Sequence, residues 1–498
     1  MSLKRNILAN YATQIYVTLI SIVILPLYLK YMGAEAYGLV GFFAMLQAWF
    51  NLLDMGLTPT VARETARFNG GATDAQNYRR LLRALQIIFF AVAFLGGGIM
   101  LLSAGIIADK WLHAQTLPPA QVKIALQLMA VGVALRWICG LYRGCISGAE
   151  RLVWLSGFNA FVATLRFVGI LPILIWVDHS PTVFFTYQLL IAFIEFVGLA
   201  IKSRTLLPAL AHGQILGWTP NNLFKPIKPI LKYSFSIALT SAVWVLLTQI
   251  DKMLLSGSLP LNEYGYFTMA VILATGLMTL CAPLTNPITL RMINLYSQNK
   301  KGEAMLLYKN STSMISVLAG SFSIILILFS KEILDFWTGN EQVGIYGKMI
   351  LSLYAGGYFF AALAAFPGYI QQAQGDLKYH LRGNFLLLII MIPSMCLSIY
   401  FWGAVGAAST WFAVNLFYFL LWTYVTHKNL LPGFHKTWLI DCILRNLIPG
   451  ITCGVIAKYL STSGNVDVSG LLLFAFWIIV FSTMIFFSPL SINKIIKQ

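Results

Sequence analysis

The chain has 498 residues, of which 58% are apolar and 10% charged, with a mean hydropathy of +0.76. Soluble globular proteins carry about 25% charged residues, so an ordinary water-soluble enzyme is excluded, and the apolar content suffices for about fourteen spans of roughly 20 residues. Lys and Arg outnumber Asp and Glu by 34 to 17, a net charge of +17 that in a membrane chain reports orientation before it reports nucleic acid.

Lys4 and Arg5 precede the first apolar stretch, near 8–29, as in a signal peptide. That stretch holds Asn10, Thr13 and Gln14 and has no small-residue cleavage site, so it reads as a retained span. A second span, 37–57, follows GAEAYG (Gly33 to Gly38) and runs into LTPTVAR (Leu57 to Arg63). The third is 85–107, the fourth 122–146 with Arg136 and Arg143, the fifth 152–177 with Arg166 and Pro172, and the sixth 183–201 with Glu195. Residues 203–229 are polar and hold Pro208, Pro220, Pro226 and Pro229, the composition of a linker. The series resumes at 230–255, with Asp251 and Lys252 near its end, and at 264–290, closed by Arg291. Further spans are expected at 310–330, 346–370, 383–401, 403–426, 439–460 and 468–488.

With fourteen spans, most Lys and Arg residues fall on the side of both termini, Arg79, Arg80, Arg83, Lys202, Arg204, Lys300, Lys301, Lys378 and Lys428 among them. Lys30, Lys110, Lys123, Lys252, Lys331, Lys348 and Lys458 fall opposite. A miscounted span would scramble that split, so both termini are expected in the cytoplasm.

The chain also repeats itself. GAEAYG, an apolar run and LTPTVAR are echoed some 227 residues later by NEYG (Asn262 to Gly265), a similar run and LTNPITLR (Leu284 to Arg291). An even number of helices per repeat inserts both repeats the same way up, around a shared cavity. The expected fold is an all-α polytopic membrane protein of 14 transmembrane helices, in two pseudo-symmetric six-helix bundles around a central cavity plus two C-terminal helices. The expected boundaries are 1–202 for the N-terminal lobe, 203–229 for a cytoplasmic linker, 230–428 for the C-terminal lobe and 429–498 for the additional pair.

A charge at the bilayer centre costs at least about 2.5–3.5 kcal/mol, so each one asks for a reason. Arg136 and Arg143 are two turns apart on one helix face, and Arg166 sits mid-span. Arg63 and Arg291 end repeat-equivalent spans on the cytoplasmic side, where an interfacial anchor is the competing reading. Arg143 could likewise snorkel, Arg136 and Arg166 could pair structurally with Glu195 or Asp54, and Asp251 could simply neutralise Lys252. Even so, the basic excess favours an anionic substrate, and the guanidinium fork suits phosphate. Pro26, Pro172, Pro283, Pro287 and Pro393 interrupt spans and free carbonyls that only protein or a wet cavity can satisfy.

The six cysteines form no CxxC pair and read as small apolar packing residues, and the six histidines are taken as mostly loop residues without a role. No DxD or HExxH is present and the outer loops are short, which argues against a membrane-embedded polymerase or glycosyltransferase. No metal or cofactor is expected.

GAEAYG, LTPTVARETAR, QIDKMLLSG (Gln249 to Gly257) and NEYGYFTMA together resemble the Wzx-type polysaccharide flippases of the multidrug/oligosaccharidyl-lipid/polysaccharide (MOP) exporter superfamily. The resemblance implies an alternating-access carrier of the bacterial inner membrane, a monomer with no nucleic-acid partner. Its implied substrate is an undecaprenyl-pyrophosphate oligosaccharide of the O-antigen or capsule type, moved from the cytoplasmic to the periplasmic leaflet. It further implies coupling to a proton or sodium gradient, and a polysaccharide polymerase and chain-length regulator as partners. By position, the pyrophosphate-binding role falls on Arg63 and Arg291, then on Arg136, Arg143 and Arg166. Asp54, Glu195 and Asp251 are the candidate coupling carboxylates. A drug/cation antiporter of the same superfamily is the alternative, and it would favour carboxylates and aromatics over arginine.

Overall fold

The computed structural model describes residues 3–52, 54, 56–71, 73–208, 228–463 and 469–488, without the side chains of residues 3–8, 228–241, 283 and 286. Most of the expected linker 203–229 therefore lies outside the described residues. Among them the chain is mostly helical, with no strand and one isolated bridge between His113 and Pro260. Among the described residues, eleven helices are long and apolar enough to cross a membrane, or twelve if the pair Ala34–Leu52 and Leu57–Asn69, bent by 53°, counts as one span. This is a multi-pass membrane protein. Large apolar side chains such as Phe94 and Leu102 face outward because the solvent they meet is hydrocarbon.

Internal contacts divide the chain into two compact units, Met1–Gly265 and Tyr266–Gln498. The first contains α1 (Leu3–Met32), α2 (Ala34–Leu52), α3 (Leu57–Asn69) and α4 (Ala75–Ile106, continued as a π-turn to Trp111). It goes on with α5 (Pro119–Gly148), α6 (Leu152–Phe167), α7 (Leu171–Trp176), α8 (Pro181–Arg204), α9 (Lys228–Ser256) and the first turn of α10 (Leu261–Ser297). Start signals are local: Asp74 accepts the Asn77 N–H at the head of α4, and that bond holds the Asp74 carboxyl below the ordinary carboxylate range. Ser180, followed by Pro181 at the first helical position, caps α8.

Helix α5 lies at the centre of this unit, against α2, α3, α4 and α8. Its approach to α3 is made by Gly140, Gly144 and Gly148, spaced four apart on one face. A Cβ at Gly148 would stand 2.2 Å from the Ala62 carbonyl oxygen, and one at Gly144 2.8 Å from that of Thr58. Backbones this close are what small-xxx-small stripes achieve in membranes, where hydrophobicity does not drive helices together.

The repeat motifs meet in a reciprocal contact. A Cβ at Gly38 would lie 2.2 Å from the Leu261 carbonyl oxygen, and one at Gly265 2.8 Å from that of Ala34. Leu261 and Gly265 stand 227 residues after Ala34 and Gly38, so each partner plays the other's role, as across a two-fold axis. Beside this crossing the buried Glu35 carboxylate gathers the loop after α4. It accepts the N–H groups of Gln115 (2.7 Å), Thr116 (2.9 Å) and Leu117 (2.9 Å), and the Thr116 hydroxyl (2.8 Å). The same loop donates Trp111 Nε1 to Ser256 Oγ at 3.0 Å and accepts Leu261 N–H on the His113 carbonyl. Glu35→Gln should lower stability by about 1–3 kcal/mol, because the amide turns donors toward N–H groups already buried. A thermal melt of the purified variant checks this.

The second unit begins within α10 and continues with α11 (Lys301–Leu328), α12 (Ser330–Thr338), α13 (Glu341–Ala364) and α14 (Phe366–Gln374). After these come α15 (Lys378–Phe417, then a π-turn to Trp422), α16 (Thr423–Leu430), α17 (Phe434–Leu439), α18 (Arg445–Ser463) and α19 (Gly470–Phe487). Segment 378–430 would be about 80 Å long if straight, more than twice the hydrocarbon thickness. It reverses at Gly403, whose φ of 54° and ψ of −133° suit glycine alone. A Cβ at Gly406 would meet the Ser398 carbonyl oxygen at 2.0 Å, Ser398 and Thr410 share a hydroxyl bond of 2.7 Å, and Trp422 Nε1 donates to the Tyr379 carbonyl. Residues 378–402 and 404–430 thus run side by side, with Tyr400, Phe401 and Trp402 exposed at the turn. Helices α18 and α19 pack on α11 through Ile324, Ile325, Ala457, Val480 and Met484.

One sequence reading is corrected here. His380, His427 and His435 are on helices, not loops, and His427 is buried, bonded to the Tyr308 hydroxyl at 2.7 Å and to His435 Nδ1 at 2.9 Å. A neutral imidazole between aromatic rings tolerates burial that a permanent cation does not.

Candidate functional site

Two interior rungs join α5 to α8. Seven residues separate Arg136 from Arg143 on α5, and Gln188 from Glu195 on α8, so each pair shares a face. Arg136 Nη2 donates to Gln188 Oε1 at 3.2 Å, and Arg143 forms an ion pair with Glu195 through Nη2 and Oε1. Both partnerships are 52 residues apart in sequence, as they must be for two parallel helices in register. Arg136 Nη1 donates to Gln47 Oε1 on α2 at 3.2 Å, and its guanidinium lies 5.3 Å from the Phe43 ring centre. Among the described residues the hydrogen-bond partners of Arg136 are two neutral amides, which position its charge without cancelling it. Among the described residues the buried Nε atoms of Arg136 and Arg143 have no hydrogen-bond partner.

Arg166 arrives from the break in the fifth span. Helix α6 ends at Phe167 and α7 starts at Leu171, with Pro172 unable to donate. The carbonyls of Leu165, Arg166 and Phe167, cut off from their helical donors, are taken up by side chains: the Tyr187 hydroxyl at 2.8 Å, Gln188 Nε2 at 3.1 Å and the Tyr28 hydroxyl at 2.8 Å. This is the accounting a helix break inside a bilayer demands. Among the described residues the Arg166 guanidinium has no ion-pair partner; it lies 5.2 Å from the Phe167 ring centre.

Two adjoining cavities share Arg143, Arg166 and Glu195. One, of about 130 Å³, is completed by Gln47, Asn51 and Arg136; the other, of about 370 Å³, by Asn10, Thr13, Gln14, Thr18 and Asn159. Three guanidinium groups face one carboxylate, so the lining is net cationic and otherwise rich in neutral hydrogen-bonding groups. Such a chamber can bind a phosphate-bearing or carboxylate-bearing head group while amides and hydroxyls meet its other polar atoms.

Of the eight residues expected at a site, four converge here: Arg136, Arg143, Arg166 and Glu195. Asp54 instead accepts the Thr58 hydroxyl (2.7 Å) and N–H (3.2 Å), capping the start of α3. Arg63 is exposed on α3 and lines neither cavity. Asp251 is buried and ion-paired with Lys252 at 3.1 Å. Arg291, exposed in the second unit, lines a separate cavity of about 150 Å³ with Glu303, Asn310 and Ser311. Gln47 and Gln188 were missed because a neutral amide in an apolar span carries no charge to flag it. The seven-residue echo of Arg136/Arg143 in Gln188/Glu195 was the available signal.

Residues 3–289 match the family described as Polysaccharide biosynthesis protein. The chain belongs to that family. It is also 21% identical over 421 residues to a Shigella flexneri protein named "Putative O-antigen transporter", covering 82% of this chain and 94% of that one. Among solved structures it resembles a lipid II flippase MurJ in an inward closed conformation, with a TM-score of 0.70 and 14% identity over 98% of this chain and 99% of that one. It resembles an inward-facing multidrug resistance MATE family transporter of the MOP superfamily at a TM-score of 0.65 and 13% identity, over 86% and 95% of the two chains. The family member described here thus has the fold of the MOP-superfamily transporters.

Proposed function

We propose that this family member is a flippase, carrying a lipid-linked oligosaccharide on a pyrophosphate head from the cytoplasmic to the periplasmic leaflet of the bacterial inner membrane. The observation that carries the reading is the chamber in which Arg136, Arg143 and Arg166 face the single carboxylate of Glu195. A carrier of cationic drugs needs the opposite balance. The name of the Shigella relative and the fold shared with a lipid II flippase point the same way. With the cytoplasm negative, a head group of charge near −2 gains roughly 4–5 kcal/mol per 100 mV on moving outward. Entry of a proton or sodium ion would add to this and return the empty carrier. Glu195 is the preferred coupling carboxylate, since it lines the chamber while Asp54 caps a helix and Asp251 is paired with its neighbour.

Complementation of a flippase-deficient strain with defined repeat units tests the reading. At matched expression, Arg136→Ala should lower export at least about tenfold, the worth of one or two charge-assisted hydrogen bonds, with Arg136→Lys in between. Arg291→Ala, which is not among the chamber's lining residues, separates the two sets of arginines. Normal export by both Arg136→Ala and Arg166→Ala overturns the assignment. Binding of cationic dyes without affinity for polyprenyl-pyrophosphate oligosaccharides would favour a drug antiporter, and cleavage or formation of glycosidic bonds by the purified protein would make it an enzyme.

The fourteen-span arrangement with two six-helix lobes is part of this proposal. Counting α9 as a span and segment 378–430 as two supports it, as does the reciprocal contact of Gly38 and Gly265. Reporter fusions at Lys202 and Lys428 should then read as cytoplasmic, and fusions at Asp178 and Gly403 as periplasmic. A cytoplasmic signal at Gly403 would remove two spans from the count.

A further inference from the structure

A second basic cavity, of about 250 Å³, opens where the first turns of α4 meet the last turns of α5 and α8. Arg79, Arg83 and Arg204 line it with Gln86 and Ser203, and no carboxylate is among its described lining residues. It shares no residue with the chamber of Arg136 and Arg166. Among the described residues the buried Nε of Arg79 has no hydrogen-bond partner, which leaves a directed donor unused. Tyr142 belongs to the same lining and makes an edge contact with Phe196, which in turn meets Phe90.

Apolar walls lead away from the arginines. On α4, Ile87, Phe90 and Phe94 follow Arg83 at intervals of four, three and four residues, on one helix face. They are 40%, 45% and 81% exposed. On α8, Ile201, Ile194 and Leu190 lie on the face of Arg204 and are likewise exposed. From Arg83 to Phe94 is about 16 Å of helix rise, close to the thickness of one hydrocarbon leaflet, half of about 30 Å. A cationic cradle thus opens onto apolar walls one leaflet deep.

We infer that this cavity holds the head group of an anionic glycerophospholipid of the Lys/Arg-rich leaflet, with its acyl chains along Ile87, Phe90 and Phe94 and along Leu190, Ile194 and Ile201. A lipid phosphate satisfies the buried Nε donor of Arg79 and the Arg204 guanidinium beside it, and a described lining with arginines and no carboxylate selects an anionic lipid over a zwitterionic one. A soluble phosphate would leave the apolar walls without a purpose. The lipid is bound rather than carried, and the assignment stands whether or not the chamber of Arg136 transports a lipid-linked sugar.

Full-length protein, delipidated in mild detergent, is offered phosphatidylglycerol, phosphatidylcholine, undecaprenyl phosphate or inorganic phosphate and read by native mass spectrometry. The wild type should retain phosphatidylglycerol over phosphatidylcholine by about tenfold or more, and the Arg79→Gln/Arg83→Gln/Arg204→Gln variant should retain the two equally. An unchanged preference in the variant overturns the inference, as does retention of undecaprenyl phosphate alone or displacement of phosphatidylglycerol by inorganic phosphate. Should the variant not fold, a phosphatidylglycerol with a photoreactive acyl chain decides on the wild type. Labelling within 87–94 and 190–201 upholds the site, and labelling confined to other helices refutes it.

Discussion

Glu195→Gln should abolish export of the lipid-linked sugar and, by itself, also cost stability. The carboxylate is 3% exposed and pairs with Arg143, whose side chain is 43% exposed. Removing one partner of a buried ion pair costs about 3–5 kcal/mol when the survivor is stranded. Arg143 keeps part of its solvent, so the loss belongs at the lower end of that range. A melting temperature alone would not separate packing from function. The double variant Arg143→Gln/Glu195→Gln does, because two amides bond across the same rung with no stranded charge. Its melting should return toward wild type while export stays lost. Export recovered together with melting would make the pair a structural tie and remove Glu195 from the coupling role.

Gly148→Ala should be among the most damaging single methyl groups in the first unit. The added Cβ would stand 2.2 Å from the Ala62 carbonyl oxygen and 2.7 Å from the Thr65 Cβ. Neither can swing aside as a side-chain tip could, so α3 and α5 must separate, which forfeits the contacts along the whole glycine stripe. A cost of about 3 kcal/mol or more is expected, the upper end of overpacking, and Gly148→Leu should yield no folded protein. Gly157 and Gly98 are helical, and a methyl added at either would meet nothing within 4 Å. Their alanine variants should be neutral or stabilised by up to about 1 kcal/mol. Detergent-solubilised melts of the three alanine variants give the comparison.

That the chain is a set of apolar helices with isolated arginines inside some of them was legible in the sequence, because both follow from hydropathy and from the cost of isolated charge. Arg136, Arg143 and Arg166 stood out for that reason, and the seven-residue spacing put two of them on one face. Their partners were harder to read. Gln47 and Gln188 are unremarkable by hydropathy, and only tertiary packing reveals which arginine each serves. Arg63 and Asp54 illustrate the converse. Both sit in a motif region that repeats across the chain, yet one is exposed and the other caps a helix, so repetition marked an architectural joint rather than a chamber wall. The histidines of the second unit were misplaced because a neutral, bonded imidazole hides among aromatics as easily as it lies in a loop.

Gln188 has one amide oxygen and one amide nitrogen committed in opposite directions, the first to the Arg136 guanidinium and the second to the Arg166 carbonyl at the helix break. An anion that draws Arg136 toward itself takes away the contact that fixes the amide's rotation. The carbonyl at the joint between α6 and α7 would then be left with a less firmly held amide donor and the longer contact from the Tyr28 hydroxyl at 3.4 Å. Under the proposed function, occupancy of the chamber would therefore bear on the bend of the fifth span, like a latch on its spring, through a single uncharged side chain.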